Sequence, residues 1–274
     1  MILVVASNKD AASLNIRKQI LKNYSFKEKE DKYQTSPAYE TKTENRTIQL
    51  ITINEELILA QDLPQEFTNL ELLVFISRHS SLSGTPTLSV HTPGNLAEAE
   101  LGGIPKKVSV CAPNAMRHAL KTMSKLKDEF KLDYRVCYEA THHGPSLNIP
   151  TMFSELGSTP EQWKDEQAAE VVAHAAMKAA QEFDNRPAKA VIGIGGPHYN
   201  EKFSRVALEK EVAFGHMIPK HAVPTTDINT LRECINKTSE KVETIILDWK
   251  GIKGEDKKPL IKTITETKMP YEKA

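Results

Sequence analysis

Imidazole is the side chain that titrates nearest neutrality and the commonest nitrogen ligand of metal ions, so the placement of nine histidines in this 274-residue chain is the first clue to its chemistry. They gather in short polar blocks: Ser77-Arg78-His79-Ser80-Ser81, Thr141-His142-His143-Gly144-Pro145, Gly195-Gly196-Pro197-His198-Tyr199 and Gly215-His216-Met217-Ile218-Pro219-Lys220-His221. Converging histidines do one of two things: they hold a metal ion through their ring nitrogens, or they act as general acids and bases. Three protein ligands around zinc leave a position at which water ionises near neutral pH and attacks a carbonyl. Glu139, two residues before Thr141, can serve as ligand, base or partner to a ligating ring. On this reading His142, His143, His198 and His216 are the candidate metal ligands; His79, Arg78 and Glu139 join His142, His143 and His198 as candidate catalytic groups. His91, His118, His174 and His221 are read as structural. No HExxH or GxSxG motif is present, and neither Gly102-Gly103 nor Gly195-Gly196 matches a GxGxxG or P-loop fingerprint, so no nucleotide cofactor is expected.

These blocks need elements to hold them. Ile2–Ala6, Leu72–Ile76 and Ala190–Ile194 are short apolar runs typical of buried parallel strands, and 48–53, Val108–Cys111, Tyr134–Ala140, Thr244–Asp248 and Leu260–Thr265 read as further strands. Helices are predicted from about Ala11 to Tyr24, from Pro113–Asn114 to Phe130, from the capping box Thr159-Pro160-Glu161-Gln162 to Phe183, over Asn200–Val212, and from Asp227 to Lys237. Alternating strands and helices predict an α/β fold with a mainly parallel sheet covered by helices on both faces, as a single domain over 1–274 with long insertions at about 27–46 (an excursion or hairpin) and 77–105. In such sheets ligands bind beyond the carboxyl ends of the strands. The ends of the strands at 72–76, 134–140 and 190–194 each lead into a histidine block, and the turn Ser7-Asn8-Lys9-Asp10 is expected at the same edge.

Composition narrows the class. Lys+Arg and Asp+Glu balance at 36 each, so a nucleic-acid partner must be met by local rather than overall positive charge. One local candidate is the Arg117–Lys121–Lys125 line on a predicted helix, which a solvated helix face explains equally well. Cys111, Cys137 and Cys234 form no CxxC pair and read as buried and inert. With neither a signal-peptide pattern nor an apolar run near 18 residues, the expected location is the cytoplasm, with no membrane partner and a monomer favoured.

Five blocks in order resemble the archaeal- and plant-type D-aminoacyl-tRNA deacylases: Ala6-Ser7-Asn8-Lys9-Asp10; the stretch from Ser77-Arg78-His79 through Gly84-Thr85-Pro86-Thr87 to His91-Thr92-Pro93-Gly94-Asn95; Thr141-His142-His143-Gly144-Pro145; Gly193-Ile194-Gly195-Gly196-Pro197-His198-Tyr199; and Gly215-His216-Met217-Ile218-Pro219-Lys220. The resemblance spans residues 1 to about 224. It implies hydrolysis of the ester joining a D-amino acid to the terminal ribose of tRNA, an association with zinc, and a fold similar to phosphorylases and peptidyl-tRNA hydrolases. Under it, Asn8 and Lys9 are expected to touch the terminal nucleotide, with Gly195, Gly196 and Tyr199 also at the substrate. Arg78 and His79, or the Gly195–Gly196 backbone, would stabilise the oxyanion. The residues alone leave two other readings open: another metal-dependent amidase, esterase or phosphorylase, and a non-catalytic RNA binder.

Overall fold

The structure is a computed structural model describing residues 1–274. In chain order the strands are β1 (Ile2–Ser7), β2 (Lys27–Glu28), β3 (Tyr39–Lys42), β4 (Thr47–Ile53), β5 (Leu72–Arg78), β6 (Thr87–His91), β7 (Arg135–Glu139), β8 (Thr151–Gly157), β9 (Lys189–Ile194), β10 (Tyr199–Asn200), β11 (Val212–Ile218), β12 (Val242–Leu247) and β13 (Tyr271–Lys273). The helices are α1 (Ala11–Asn23), α2 (Pro113–Glu129), α3 (Pro160–Trp163), α4 (Glu166–Gln181), α5 (Glu201–Glu209), α6 (Ile228–Asn236) and α7 (Gly254–Thr267). None is long and apolar enough to cross a membrane.

The strands form a nine-stranded sheet in the order β10-β7-β6-β8-β5-β1-β4-β3-β2 and a four-stranded sheet in the order β11-β9-β12-β13. The small sheet is wholly parallel. The large one is parallel across β4-β1-β5-β8, but β6 runs antiparallel to β8 and carries β7 with it. The fold is thus α/β with a mixed, largely parallel sheet. The 27–46 insertion is a hairpin, β2 against β3, at one edge.

Period-two alternation sorts the large sheet's side chains onto two faces. Leu72, Val74, Ile76, Leu88, Val90, Tyr138, Met152 and Leu156 join the main apolar core with α1, α2 and α4. The nine buried alanines and valines of α4 let that helix lie close to both neighbouring helices and to the sheet. Asp10 starts α1 by accepting the Ser13 N–H at 2.9 Å, and Asp165 starts α4 by accepting from Gln167 and Ala168. That second cap splits the single helix expected over 159–183 into α3 and α4. The opposite face of β1, β4 and β5 buries Leu3, Val5, Ile51, Leu73 and Phe75 under two 3-10 turns, Leu57–Leu59 and Leu63–Glu66, and the loop carrying Leu147. The main core also takes in Val191, Phe214, Met217 and Ile246 of the small sheet, whose other face packs on α6 and α7.

Several elements differ from expectation. Residues 260–265 are helical: Leu260 and Ile264, one turn apart, are the buried positions of α7, while Glu255 and Asp256 sit in its first turn. Val108–Cys111 is extended but makes only isolated bridges, to Gly94, Pro150 and Thr238. Strands β6, β8 and β11 form where no strand was expected; β6 lies inside the Ser77–Gly103 segment read as loop.

Candidate active site

The chemistry lies on the face of the large sheet that the α-helices leave uncovered, rather than along a shared carboxyl edge. Because β6 and β7 run against β8, the ends of these strands cannot align at one edge. What aligns is their odd-numbered side chains: Ser77 and then His79 from β5, Phe153 and Glu155 from β8, Ser89 and His91 from β6, and Glu139 from β7. His79 folds back over this face because Gly157 lies beneath it; a Cβ there would stand 2.5 Å from the His79 carbonyl oxygen. His198 and Tyr199 arrive from the small sheet. After β9 the chain turns through Gly195 and Gly196, at φ 105° and 76°, values open to glycine. It then pairs as β10 with β7, setting Tyr199 opposite Glu139. Asn200 locks the turn, donating to the Gly195 carbonyl at 3.0 Å and capping α5 through Phe203 N–H.

Glu139, fully buried, is the hub. His198 donates from Nε2 to its Oε2 at 2.8 Å, His79 Nδ1 lies 3.2 Å from Oε1, and His142 Nε2 is 3.7 Å from Oε2. Glu155 is the second buried acid: it accepts from Ser77 Oγ at 2.7 Å and faces His79 Nδ1 at 3.5 Å and His91 Nε2 at 3.6 Å. Burial would pull the His79 pKa down, but the two carboxylates outweigh it and lift the group to about 11. Burial alone would raise both acids; their histidine partners instead hold Glu139 and Glu155 well below the usual carboxylate range. His79 is therefore a buried cation between two carboxylates, with its Nε2 2.8 Å from the Tyr199 hydroxyl.

His142 and His143 behave in the opposite sense. Burial, reinforced by neighbouring His91, lowers both, His143 to about 4, so both rings are neutral at pH 7. Each donates its Nδ1 hydrogen to a backbone carbonyl, Ala140 at 2.8 Å and Gly144 at 2.7 Å, which leaves each Nε2 with a free lone pair. That is the tautomer a metal-ligating or basic histidine needs. The rings crowd together: His142 to His143 at 4.2 Å, His142 to His198 at 4.4 Å and His91 to His142 at 4.4 Å between centroids. His91 stacks on Phe153 at 5.1 Å, and neither of its buried nitrogens has a hydrogen-bond partner.

Three groups bring ligand atoms within 4.8 Å of one another: His91–His142–His143, Glu139–His142–His198 and His79–Glu139–Glu155. Zinc bonds of about 2.0–2.1 Å in a tetrahedron require ligand atoms about 3.4 Å apart. Among the first two groups the free Nε2 lone pairs of His142 and His143 suit such an ion; His91 Nε2 faces Glu155, and the His198 Nε2 hydrogen bonded to Glu139 would have to leave before that nitrogen could bind. In the third the His79 cation faces both carboxylates through Nδ1 and offers no free lone pair.

Two cavities meet at this cluster. One, of about 440 Å³, lies between the 94–101 segment and residues 219–225. The other, of about 300 Å³, is bounded by the ends of β1 and β5 and by Tyr199. His142, His143, His198 and Leu101 line both.

The structure brings together His79, Glu139, His142, His143, His198 and Tyr199 as anticipated, with Arg78 at the rim of the smaller cavity. Others go elsewhere. His216 is buried on β11, 3.1 Å from Thr141 Oγ1 and 3.3 Å from the Lys237 carbonyl, and belongs to none of the ligand groups. Gly195 spends its N–H on the Ile218 carbonyl at 2.8 Å, and neither it nor Gly196 lines either of these two cavities, so the turn carries His198 into the site from behind the cavity walls. Asn8 is engaged with Asn54 and Ser36. Lys9 lies exposed outside both linings, with its carbonyl accepting from Arg78 at 3.1 Å. The Arg117–Lys121–Lys125 line is broken, because Arg117 is buried against the Ala207 and Lys210 carbonyls. His118 and His174 bond Asn185 and Tyr24 well away from the cluster. All three cysteines are buried, and burial raises each thiol, Cys234 to about 12.

Two members of the cluster are not among the expected site residues: His91, read from its sequence context as structural, and Glu155. Each is a polar residue in an alternating apolar stretch, Thr87–His91 and Thr151–Gly157. An acid or imidazole at an inward position of a strand was the available signal, hidden because neither stretch was recognised as a strand.

Comparison with known proteins agrees with this picture. Residues 66–272 match the family profile described as D-aminoacyl-tRNA deacylase. D-aminoacyl-tRNA deacylases of Pyrococcus abyssi and of Methanococcus maripaludis (strain S2) are 39% identical over 93% of this chain and 93% of theirs, and 33% identical over 99% and 98%. A crystal structure of a conserved protein of unknown function, AF0625, superposes with a TM-score of 0.87 at 31% identity, covering 100% of this chain and 95% of that one. By its sequence, this chain belongs to the D-aminoacyl-tRNA deacylase family.

Proposed function

We propose that this chain, as a D-aminoacyl-tRNA deacylase, hydrolyses the ester of D-aminoacyl-tRNA at the Glu139–His142–His143–His198 cluster, releasing free D-amino acid and tRNA. The observation that carries the reading is the position of these side chains at the junction of two cavities, where an ester linking two dissimilar halves has its carbonyl beside the histidines.

Water attack needs a base, and the collapse of the tetrahedral adduct needs a proton for the departing ribose oxygen. His198 suits both: Glu139 accepts its Nε2–H at 2.8 Å, fixing the tautomer and leaving Nδ1 as the proton acceptor. Glu139 remains ionised throughout, so it stabilises the imidazolium formed when His198 takes the proton. The His79 cation offsets the buried negative charge of Glu139 and Glu155 and holds the Tyr199 hydroxyl at the cavity wall. Arg78 supplies positive charge at the rim.

Zinc fits His142 with His143 and His91, or with Glu139 and His198, and when bound there would supply the polarisation of water and carbonyl that neutral imidazoles lack. The whole chain acts as one unit in this reading, because the main core draws on both sheets and His198 crosses from one to the other. A cytoplasmic location accords with a tRNA substrate.

The test is release of amino acid from D-tyrosyl-tRNA and L-tyrosyl-tRNA by the wild type, His142→Ala and His198→Ala, with and without chelator and added zinc. Selective D-release is expected, falling about 10²–10⁴-fold in either variant with folding intact. Wild-type turnover in both variants would remove the cluster from the mechanism, and chelator-insensitive turnover would leave the histidines as bases alone.

A further inference from the structure

Building on the deacylase reading, we infer that the cleft is divided by function: the larger cavity holds the D-aminoacyl group and the smaller one the terminal adenosine of the tRNA. His142, His143 and His198 line both cavities, so a carbonyl placed against them sends the two halves of its ester to opposite sides. Charge favours one of the two arrangements. An aminoacyl ester carries an α-ammonium, and the nucleotide half carries phosphate. The larger cavity is lined by Glu98 and Glu100 and by no lysine or arginine. The smaller one has Arg78 in its wall, with the exposed Lys9 bonded beside it through its carbonyl. Two carboxylates without an ion-pair partner oppose phosphate in the first cavity and favour the ammonium there.

The carboxylates of the smaller cavity are each already engaged, so its wall is closer to neutral than that of the larger one. Glu56 pairs with Arg78 at 3.2 Å, Asp10 accepts the backbone N–H groups of Ser13 and Arg78, and Glu155 is held by Ser77 and His79.

Shape agrees with charge. Tyr199, its hydroxyl fixed by His79, gives the smaller cavity an aromatic ring in its wall on which a base can stack. The larger cavity has no Phe, Tyr or Trp in its wall and is faced instead by Leu96, Ala97, Leu101, Pro219 and Ala222. Small apolar groups with few directional contacts accept side chains of differing size. Leu101, 59% exposed and common to both cavities, stands over the junction where the ester sits.

The test uses the full-length enzyme and four variants. Ala222→Trp, with Thr225→Trp as a second choice at an exposed position of the same wall, fills the larger cavity; Ser80→Trp fills the smaller; Arg78→Met removes its cation. KM and kcat are measured for D-alanyl-tRNA and D-phenylalanyl-tRNA, with AMP and D-phenylalaninamide as competing probes. Filling the larger cavity is expected to raise KM for D-phenylalanyl-tRNA about ten-fold over D-alanyl-tRNA and to weaken D-phenylalaninamide, leaving AMP within about two-fold. Ser80→Trp and Arg78→Met are expected to raise KM equally for both tRNAs and to weaken AMP alone. The crossed pattern, with Arg78→Met weakening the amide or Ala222→Trp weakening AMP, overturns the assignment, as does a side-chain-independent effect of filling the larger cavity. A wild type with no D-specific deacylation would instead refute the underlying deacylase reading.

Discussion

The two faces of β5, β8, β6 and β7 share every backbone hydrogen bond yet live in opposite chemical environments. On one, Val74, Met152, Val90 and Tyr138 are sealed by α1, α2 and α4 into an apolar core. On the other, Ser77, Glu155, His91 and Glu139 are nearly as well buried but polar, and are covered by their own histidine partners and by loops. The helices fill the first face with interchangeable hydrocarbon. The second gains its order from charge pairing, in which each group needs its particular partner: His79 needs both acids, and His198 needs Glu139. Burial that stabilises on one face is thus made to tune proton affinity on the other.

The strongest way to break this comparison is to truncate neighbours on one strand. Glu155→Ala should cost about 3–5 kcal/mol, because it strips a partner from His79 and His91 in a buried network, and it should also lower turnover. Met152→Ala, three residues earlier on the apolar face, should cost about 2–5 kcal/mol through the cavity it leaves while sparing turnover per folded molecule. Denaturant unfolding combined with active-site-normalised kinetics checks both. Equal kinetic losses would mean that the two faces are not functionally separate.

His216 sharpens the contrast, as a buried histidine with no acid beside it. Burial holds it neutral down to about 4. Its folded value lies below the ordinary one of about 6.5, so it favours the folded state above pH 6.5 and loses that contribution as pH falls toward 4. The size is on the order of 3 kcal/mol. Unfolding free energies at pH 7 and pH 4.5 should differ less in His216→Gln than in the wild type. An unchanged difference would assign the acid limb of stability to the Glu139–Glu155 cluster and the histidines around it.

The smallest effect is expected at Lys125, whose exposed i,i+4 pair with Glu129 at 3.6 Å is worth about 0.3–0.5 kcal/mol. Lys125→Ala should leave D-aminoacyl-tRNA turnover and its salt dependence unaltered. A shallower salt dependence would restore that helix face as a contact for the phosphate backbone.

Much of the architecture was legible locally. Continuous apolar runs marked β1, β5 and β9, and capping residues marked α3 and α6, because strand burial and helix initiation depend on neighbours in sequence. Leu260 and Ile264 were misassigned because a short apolar pattern fits either period. β6 and β8 escaped because Ser89, His91, Ser154 and Glu155 dilute their apolar character. The histidine blocks named most of the site, yet they also nominated His216 and the Gly195–Gly196 backbone, which the fold uses for support.

Residue type and spacing by themselves determined that this chain is an α/β protein with clustered imidazoles, and ordered motifs tied it to a family. Only the tertiary structure decided which imidazoles meet, which acids face them, and which rings are cations. The reason lies in the reversal of β6 and β7 against β8. Strand direction is a property of long-range pairing, and it moved the chemistry from a sheet edge to a sheet face, where His91 and Glu155 become members and His216 does not.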